Sequence, residues 1–275
     1  MTDSTRPQNG RSRIAAAFAH AQTERAAALM PYFTLGYPDR QTSLDVIAAI
    51  APHSDLLELG VPFSDPLADG LTIQHSTQVS LEQGTTVADC LAMVAELRQQ
   101  GIETPIMLMG YYNPILAFGI VEYAAAAAAA GADGFIVPDL PPEEAAELEE
   151  AANAAGLALI HFLAPTSSAE RITAVAQRAQ GFIYLVSLTG VTGARANTST
   201  DLAAFVGRVR GQTDAPLAVG FGISSPEQVT AVGRLADGVI IGSALINTVN
   251  RAETDKPAAA RAFVQSLRNA LHTTA

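Results

Sequence analysis

The feature that most constrains this chain is an eightfold alternation: short apolar runs, each followed by a turn and a helical pattern. The runs are ALMPYFT (28–34), DLLELG (55–60), TPIMLM (104–109), DGFIVP (133–138), LALIHFL (157–163), GFIYLVS (181–187), PLAVG (216–220) and DGVIIG (237–242). Amphipathic or Ala-rich stretches lie between them at 41–51, 86–100, 117–130, 142–155, 167–179, 201–211, 225–235 and 257–271, and one more helix is expected at about 11–25. Near-continuous apolar strands alternating with helices indicate a parallel sheet covered on both faces. Eight such units in 275 residues predict a (β/α)₈ barrel in one domain spanning 1–275, with residues 1–10 a flexible tail. A doubly wound open sheet is the competitor, but LGYP (35–38) stands after the first run where a dinucleotide fold needs its glycine signature.

The strand spacing is uneven. The second and third runs start at 55 and 104, far wider apart than the other neighbours, so a long loop is expected after strand two. In this barrel, loops following strands form the catalytic face. The uncharged stretch 104–121 approaches membrane-span length, but Pro105, Gly110 and Pro114 break it, and a buried strand, a loop and a helix start account for it better.

Composition limits the chemistry. Sixteen basic residues stand against 27 acidic, a net charge of −11, which argues against general nucleic-acid or anionic-lipid partners. Lys256 is the only lysine, so Schiff-base chemistry would have to use that residue. The five histidines lack metal-ligand spacing and Cys90 is alone, so no metal site is expected and the location reads as cytoplasmic. Carboxylates, hydroxyls and backbone amides remain.

Glu58 lies near the end of an otherwise apolar strand, pointing either into the barrel mouth or toward the helical layer. A lone acid there is either a satisfied structural residue or, with its pKa raised by burial, a general acid–base group. Asp65 and Asp69 follow in a Pro- and Gly-punctuated loop; each alone reads as a turn former or helix cap, while three carboxylates on one barrel-top loop read as a site. Glycine-rich turns follow strands six (GVTGAR, 190–195), seven (GFGISS, 220–225) and eight (GSA, 242–244). They are either ordinary turns or backbone cradles for phosphate, held by helix-initiating amides without lysine. Tyr32, Met109, Tyr111, Tyr184 and Phe221 sit at or near strand ends, as pocket walls or as core packing.

With these residues in place, the chain resembles the tryptophan synthase alpha chain family. The specific motif is LELGVPFSDPLADG (57–70) followed by TIQ (72–74), supported by PYFTLG (31–36), YNP (112–114), VPDLP (137–141), GVTG (190–193) and GFGIS (220–224), in family order from about residue 11 to 270. The resemblance implies a lyase that cleaves indole-3-glycerol phosphate to indole and glyceraldehyde 3-phosphate in tryptophan biosynthesis. By motif match, Glu58 and Asp69 take the catalytic positions, and Gly193, Phe221, Gly222, Gly242 and Ser243 the phosphate stretches. Tyr32, Tyr111 and Ile136 fall at the indole pocket, and Asp65, Tyr184 and Thr192 at the pocket and its closing loops. The resemblance further implies a pyridoxal-phosphate β chain as partner in an α₂β₂ complex and no cofactor in this chain. Loops around 61–71 and 110–114 are the expected contact surface. The sequence departs from the family at Leu71, where Pro is usual, and at Val79, where Arg is common. A stand-alone lyase, a mainly regulatory subunit and a different sugar-phosphate barrel are the alternatives; the 57–70 motif opposes the last, and intact Glu58 and Asp69 oppose the second.

Overall fold

The computed structural model of the protein describes residues 9–186, 198–220 and 222–272. Strands β1 (Ala28–Thr34), β2 (Leu57–Gly60), β3 (Ile106–Met109), β4 (Gly134–Ile136), β5 (Ala158–Leu163), β6 (Ile183–Val186), β7 (Leu217–Gly220) and β8 (Gly238–Ile241) pair in sequence order. All pairings are parallel, and β8 closes on β1 through Ala28 opposite Gly238. The eight strands fall within the eight apolar runs. All residues of the strands but Phe162 and Val186 are buried, on both faces, which is why their sequences lack alternation.

The outer layer comprises α2 (Arg40–Ile50), α3 (Leu71–Glu82), α4 (Val87–Gln99), α5 (Tyr112–Phe118), α6 (Ile120–Ala130), α7 (Ala146–Ala154) and α8 (Ala169–Arg178). It continues with α9 (Thr198–Arg210), α10 (Pro226–Gly233), α11 (Ser243–Arg251) and α12 (Lys256–His272). Local chemistry sets their starts. Asp39 caps α2, Thr86 and Asp89 form a reciprocal capping box on α4, and Ser225 caps α10 with Pro226 in its first turn. The Ala124–Ala130 run is helical, and Ala124 and Ala127 lie on its buried face.

Helix α1 (Gly10–Thr23) closes the N-terminal end of the barrel. Phe18 meets Phe182 with ring centroids 5.6 Å apart, and Ile14 is fully buried. Gly10 is buried where the tail was expected to end: its amide donates to the Gly156 carbonyl at 3.0 Å, and an added Cβ would sit 2.1 Å from the Asp133 carbonyl oxygen. Asp133 ties this end together, accepting from the Ile106 amide and from Arg98, both at 2.7 Å, with Arg13 at 3.3 Å.

Three expectations need correction. The segment after strand two is not one long loop: residues 61–70 are loop, α3 follows directly, and residues 83–86 join α3 to α4. Its buried face carries Ile73, Ser76, Thr77 and Ser80, so small polar residues hide the helical period from a search for apolar ones. The helix expected at 117–130 is two helices, because Gly119 at φ +96° breaks it into α5 and α6, which meet at 96°. Helix α11 was not anticipated; it is nine residues long and lies directly after β8. No single described helix is long and apolar enough to cross a membrane; the bent α5–α6 pair passes that test only when its two parts are joined.

Candidate active site

Glu58 is 1% exposed. It stands in register with Tyr32 on β1 and Met107 on β3. Tyr184, on β6 and four strands away around the closed barrel, is influenced by the Glu58 charge, and that interaction runs through the barrel interior. Glu58 therefore points into the barrel, which resolves the two orientations left open by the sequence. Burial first, and Asp69 second, push the Glu58 carboxyl up to about 8. Its Oε2 is buried without a hydrogen-bond partner among the described residues. A neutral carboxylic acid tolerates that position far better than a carboxylate does.

Asp69 reaches the barrel mouth from the loop after β2. Its amide donates to the Pro66 carbonyl at 3.1 Å, and Gln74 Nε2 from α3 donates to its carbonyl at 2.8 Å, so the helix steadies the turn. The Tyr111 hydroxyl donates to Asp69 Oδ2 at 3.0 Å and accepts from the Ala68 amide at 3.0 Å. Phe63 packs on the Tyr111 ring at 5.5 Å. Burial raises Asp69 to about 6, and the Tyr111 hydrogen bond opposes that rise. The two carboxyls thus occupy different protonation states at neutral pH: Glu58 protonated, Asp69 ionised.

Two tyrosines wall the space above Glu58, each lying across a glycine of the neighbouring strand. A Cβ on Gly60 would come within 2.0 Å of Tyr32 Oη, and one on Gly220 within 2.3 Å of Tyr184 Oη. Tyr184 also packs against Phe162, with ring centroids 4.7 Å apart and the planes tilted by 32°. Ile136 ends β4 two residues beyond Gly134, which pairs with Met107 in the Glu58 ring of the barrel. Strand alternation therefore turns Ile136 into the same interior. Gly242 precedes α11, and a Cβ there would touch the Tyr32 ring at 3.4 Å. Ser243 opens α11, whose N-terminus follows β8 directly and has no side-chain cap. Gly222 adopts φ +76° and is exposed.

The family model described as tryptophan synthase alpha chain matches residues 18–274. A tryptophan synthase alpha chain of Chloroflexus aggregans is 51% identical over 261 residues, covering 94% of this chain and 98% of its own length. That of a Roseiflexus species is 52% identical over 259 residues, with 94% and 99% covered. The crystal structure of tryptophan synthase subunit alpha from Legionella pneumophila superposes with a TM-score of 0.88 at 38% identity, covering 95% of this chain and 98% of that one. This chain belongs to the tryptophan synthase alpha chain family.

Of the positions that the tryptophan synthase alpha chain motifs single out, the structure brings Glu58, Asp69, Tyr32, Tyr111, Tyr184, Ile136, Gly242 and Ser243 to one end of the barrel. Asp65 is not brought to the carboxyl pair: it is exposed, and Ser64 Oγ donates to its carboxylate at 2.6 Å within the turn. Thr192, Gly193 and Phe221 lie outside the described residues. The residue-level reading missed Gln74, Thr34 and Ser76, which support the site from behind, and treated Gly60 and Gly220 only as parts of motifs. Only Gln74 carried a signal, as the end of the TIQ that follows the long motif. Among the described residues no group of three or more His, Cys, Asp or Glu is placed to hold a metal ion. Lys256 Nζ donates to the Val249 and Ala252 carbonyls at 3.0 and 2.9 Å, capping the end of α11.

Proposed function

We infer that Glu58 and Asp69 carry the proton chemistry by which this lyase subunit cleaves indole-3-glycerol phosphate to indole and glyceraldehyde 3-phosphate. The observation that carries the assignment is a pair of carboxyls at one barrel mouth in unlike surroundings: Glu58 is buried with an unpartnered Oε2, which favours its neutral form, and half-buried Asp69 accepts from the Tyr111 hydroxyl, which favours its charged form. A retro-aldol cleavage needs an electron sink, and the substrate's indole ring serves once its C3 is protonated. Protonated Glu58 delivers that proton, giving an indolenine. Ionised Asp69 accepts from the ring N–H and stabilises the positive charge that develops there. The Glu58 carboxylate then takes the proton of the glycerol hydroxyl; the C–C bond breaks, its electrons return to the ring, and an aldehyde is left. Net, one proton moves from oxygen to carbon, and Glu58 ends as it began.

The phosphate falls to backbone amides at Gly193, Phe221, Gly222, Gly242 and Ser243, with the N-terminus of α11 supplying dipole and donors. Tyr32, Tyr111, Ile136 and Tyr184 hold the indole, and Asp65 and Thr192 belong to the closing loops. The chain needs no cofactor of its own; pyridoxal phosphate belongs to the β chain, which receives the indole in an α₂β₂ complex. Exposed Leu67 and Leu71, beside Asp69, and Leu116 and Val121 on α5 and α6 are apolar groups on loops and helices suited to that contact. A buried, unpaired Cys90 fits a reducing cytoplasm.

The test is an assay of indole release from indole-3-glycerol phosphate, with and without the β chain. Glu58→Gln is expected to cost ~10²–10⁴-fold in kcat, the range of general acid–base catalysis. Near-full turnover by that variant sinks the assignment.

A further inference from the structure

Behind the Tyr32 ring, three buried hydroxyls form a row that the proton transfers above do not use. Tyr32 Oη and Thr34 Oγ1 are 3.2 Å apart, and Thr34 Oγ1 and Ser76 Oγ are 2.7 Å apart. Ser76 Oγ donates to the Ile73 carbonyl at 2.9 Å. Thr34 and Ser76 are fully buried and Tyr32 nearly so.

Each hydroxyl has one proton, and a carbonyl can only accept. With the Ser76 proton on the Ile73 carbonyl, Ser76 can take part in the next bond only as acceptor, so Thr34 donates to it. Thr34 then has no proton left for Tyr32, so Tyr32 donates to Thr34. With Ser76 bonded to the Ile73 carbonyl the row runs from Tyr32 through Thr34 to Ser76, and so oriented it draws the Tyr32 proton away from the carboxyl pair. This accounts for a second observation. Glu58 stands in register with Tyr32, yet its buried Oε2 receives no hydrogen bond from Tyr32 or any other described residue.

We propose that the Tyr32–Thr34–Ser76 row is a positioning device for Glu58: it withholds the Tyr32 proton from that carboxyl, so that Glu58 keeps its own proton for the substrate. A tyrosine free to donate would stabilise the Glu58 carboxylate and spoil the acid. The titratable groups that act on Glu58 or sit beside it are Asp69 from the loop after β2, Tyr32 from β1 and Tyr184 from β6, with Tyr111 acting through Asp69. Of these, Tyr32 is the one whose hydroxyl the row controls.

The experiment is the pH dependence of kcat for indole release in the α₂β₂ complex. Four proteins are compared: wild type, Thr34→Val, Tyr32→Phe and the Thr34→Val/Tyr32→Phe double variant. Because Glu58 acts as the protonated acid, wild type loses activity on the alkaline side as Glu58 ionises. Thr34→Val keeps the side-chain shape but removes the acceptor of the Tyr32 proton; that proton then turns to Glu58, the cross-strand neighbour of Tyr32, and the alkaline limb moves down by about one pH unit. With Tyr32→Phe there is no proton to release, so adding Thr34→Val leaves the limb where Tyr32→Phe alone has it. Ser76→Ala, which places a good helix former in α3, moves the limb in the same direction as Thr34→Val. A merely structural role for the row lowers kcat in these variants with the limb fixed. An unmoved limb in both Thr34→Val and Ser76→Ala overturns the proposal, as does an equal shift with Tyr32→Phe in the background. The proposal rests on the Glu58 assignment, and the two fail differently: near-full turnover by Glu58→Gln removes the assignment, whereas a crippled Glu58→Gln together with unmoved limbs in the row variants removes only the row.

Discussion

Among the described residues the Asp69 carboxylate accepts one side-chain hydrogen bond, from Tyr111, and that bond opposes the upward push of burial. Removing it with Tyr111→Phe leaves burial unopposed, so Asp69 needs a higher pH to ionise. If ionised Asp69 is the form that binds the indole N–H, kcat/KM rises with pH through a midpoint near 6 in wild type and through a higher one in Tyr111→Phe. A pH–rate profile of both proteins checks this; coincident acid limbs would show that Asp69 does not act as the anion. At this scale the sequence made Glu58 and Asp69 legible, because acids in an apolar strand and a glycine-rich loop are chemically conspicuous. Thr34 and Ser76 were illegible for the opposite reason. A threonine in a strand and a serine in a helix are ordinary, and only the approach of β1 and α3 makes them partners.

Glycines at the scale of the element show how strand and helix spacing set the site. At Gly60 the clash of an added Cβ is with the Tyr32 side chain, and at Gly10 it is with the Asp133 backbone. Gly60→Ala is therefore expected to push the Tyr32 ring out of place and lower kcat/KM by at least about tenfold, since misplacement of this order at a site is costly. Gly10→Ala strains the plug at the opposite end, costing ~1–3 kcal/mol of stability by overpacking while kcat of the folded protein stays near wild type. Steady-state kinetics and chemical denaturation of the two variants separate the outcomes; loss of kcat in folded Gly10→Ala contradicts the division of labour. The strands were readable because full burial leaves a continuous apolar run. Helix α3 was not, because it buries Ser76, Thr77 and Ser80 against the barrel instead of an apolar stripe. That substitution of hydroxyls for methyls is also what gives the site its row of hydrogen bonds.

Over the whole molecule, the barrel separates a stabilising end from a reactive one. At the N-terminal end charges are paired: Asp133 with Arg98 and Arg13, and Asp55 with Arg268 of α12. At the C-terminal end the Asp69 charge acts on Glu58, and among the described residues no cation acts on either carboxyl. Such an arrangement costs stability when the acids ionise, with a defined pH dependence. Glu58 has an unfolded value near 4.5 and a folded value near 8. Between those values the folded chain binds more protons than the unfolded chain, so stability falls as pH rises from about 4.5 and the loss is complete above about 8. Each pH unit across that window costs at most ~1.4 kcal/mol, a total on the order of a few kcal/mol. Glu58→Gln has no charge to bury, so it should match wild type near pH 4.5 and exceed it in stability by a margin that grows toward pH 8.5. Urea unfolding midpoints at those two pH values measure the margin. A margin independent of pH would mean that Glu58 is not the buried acid described here. A growing margin, joined to the loss of indole release in the same variant, would show that the fold gives up stability to keep one carboxyl protonated where the substrate needs it.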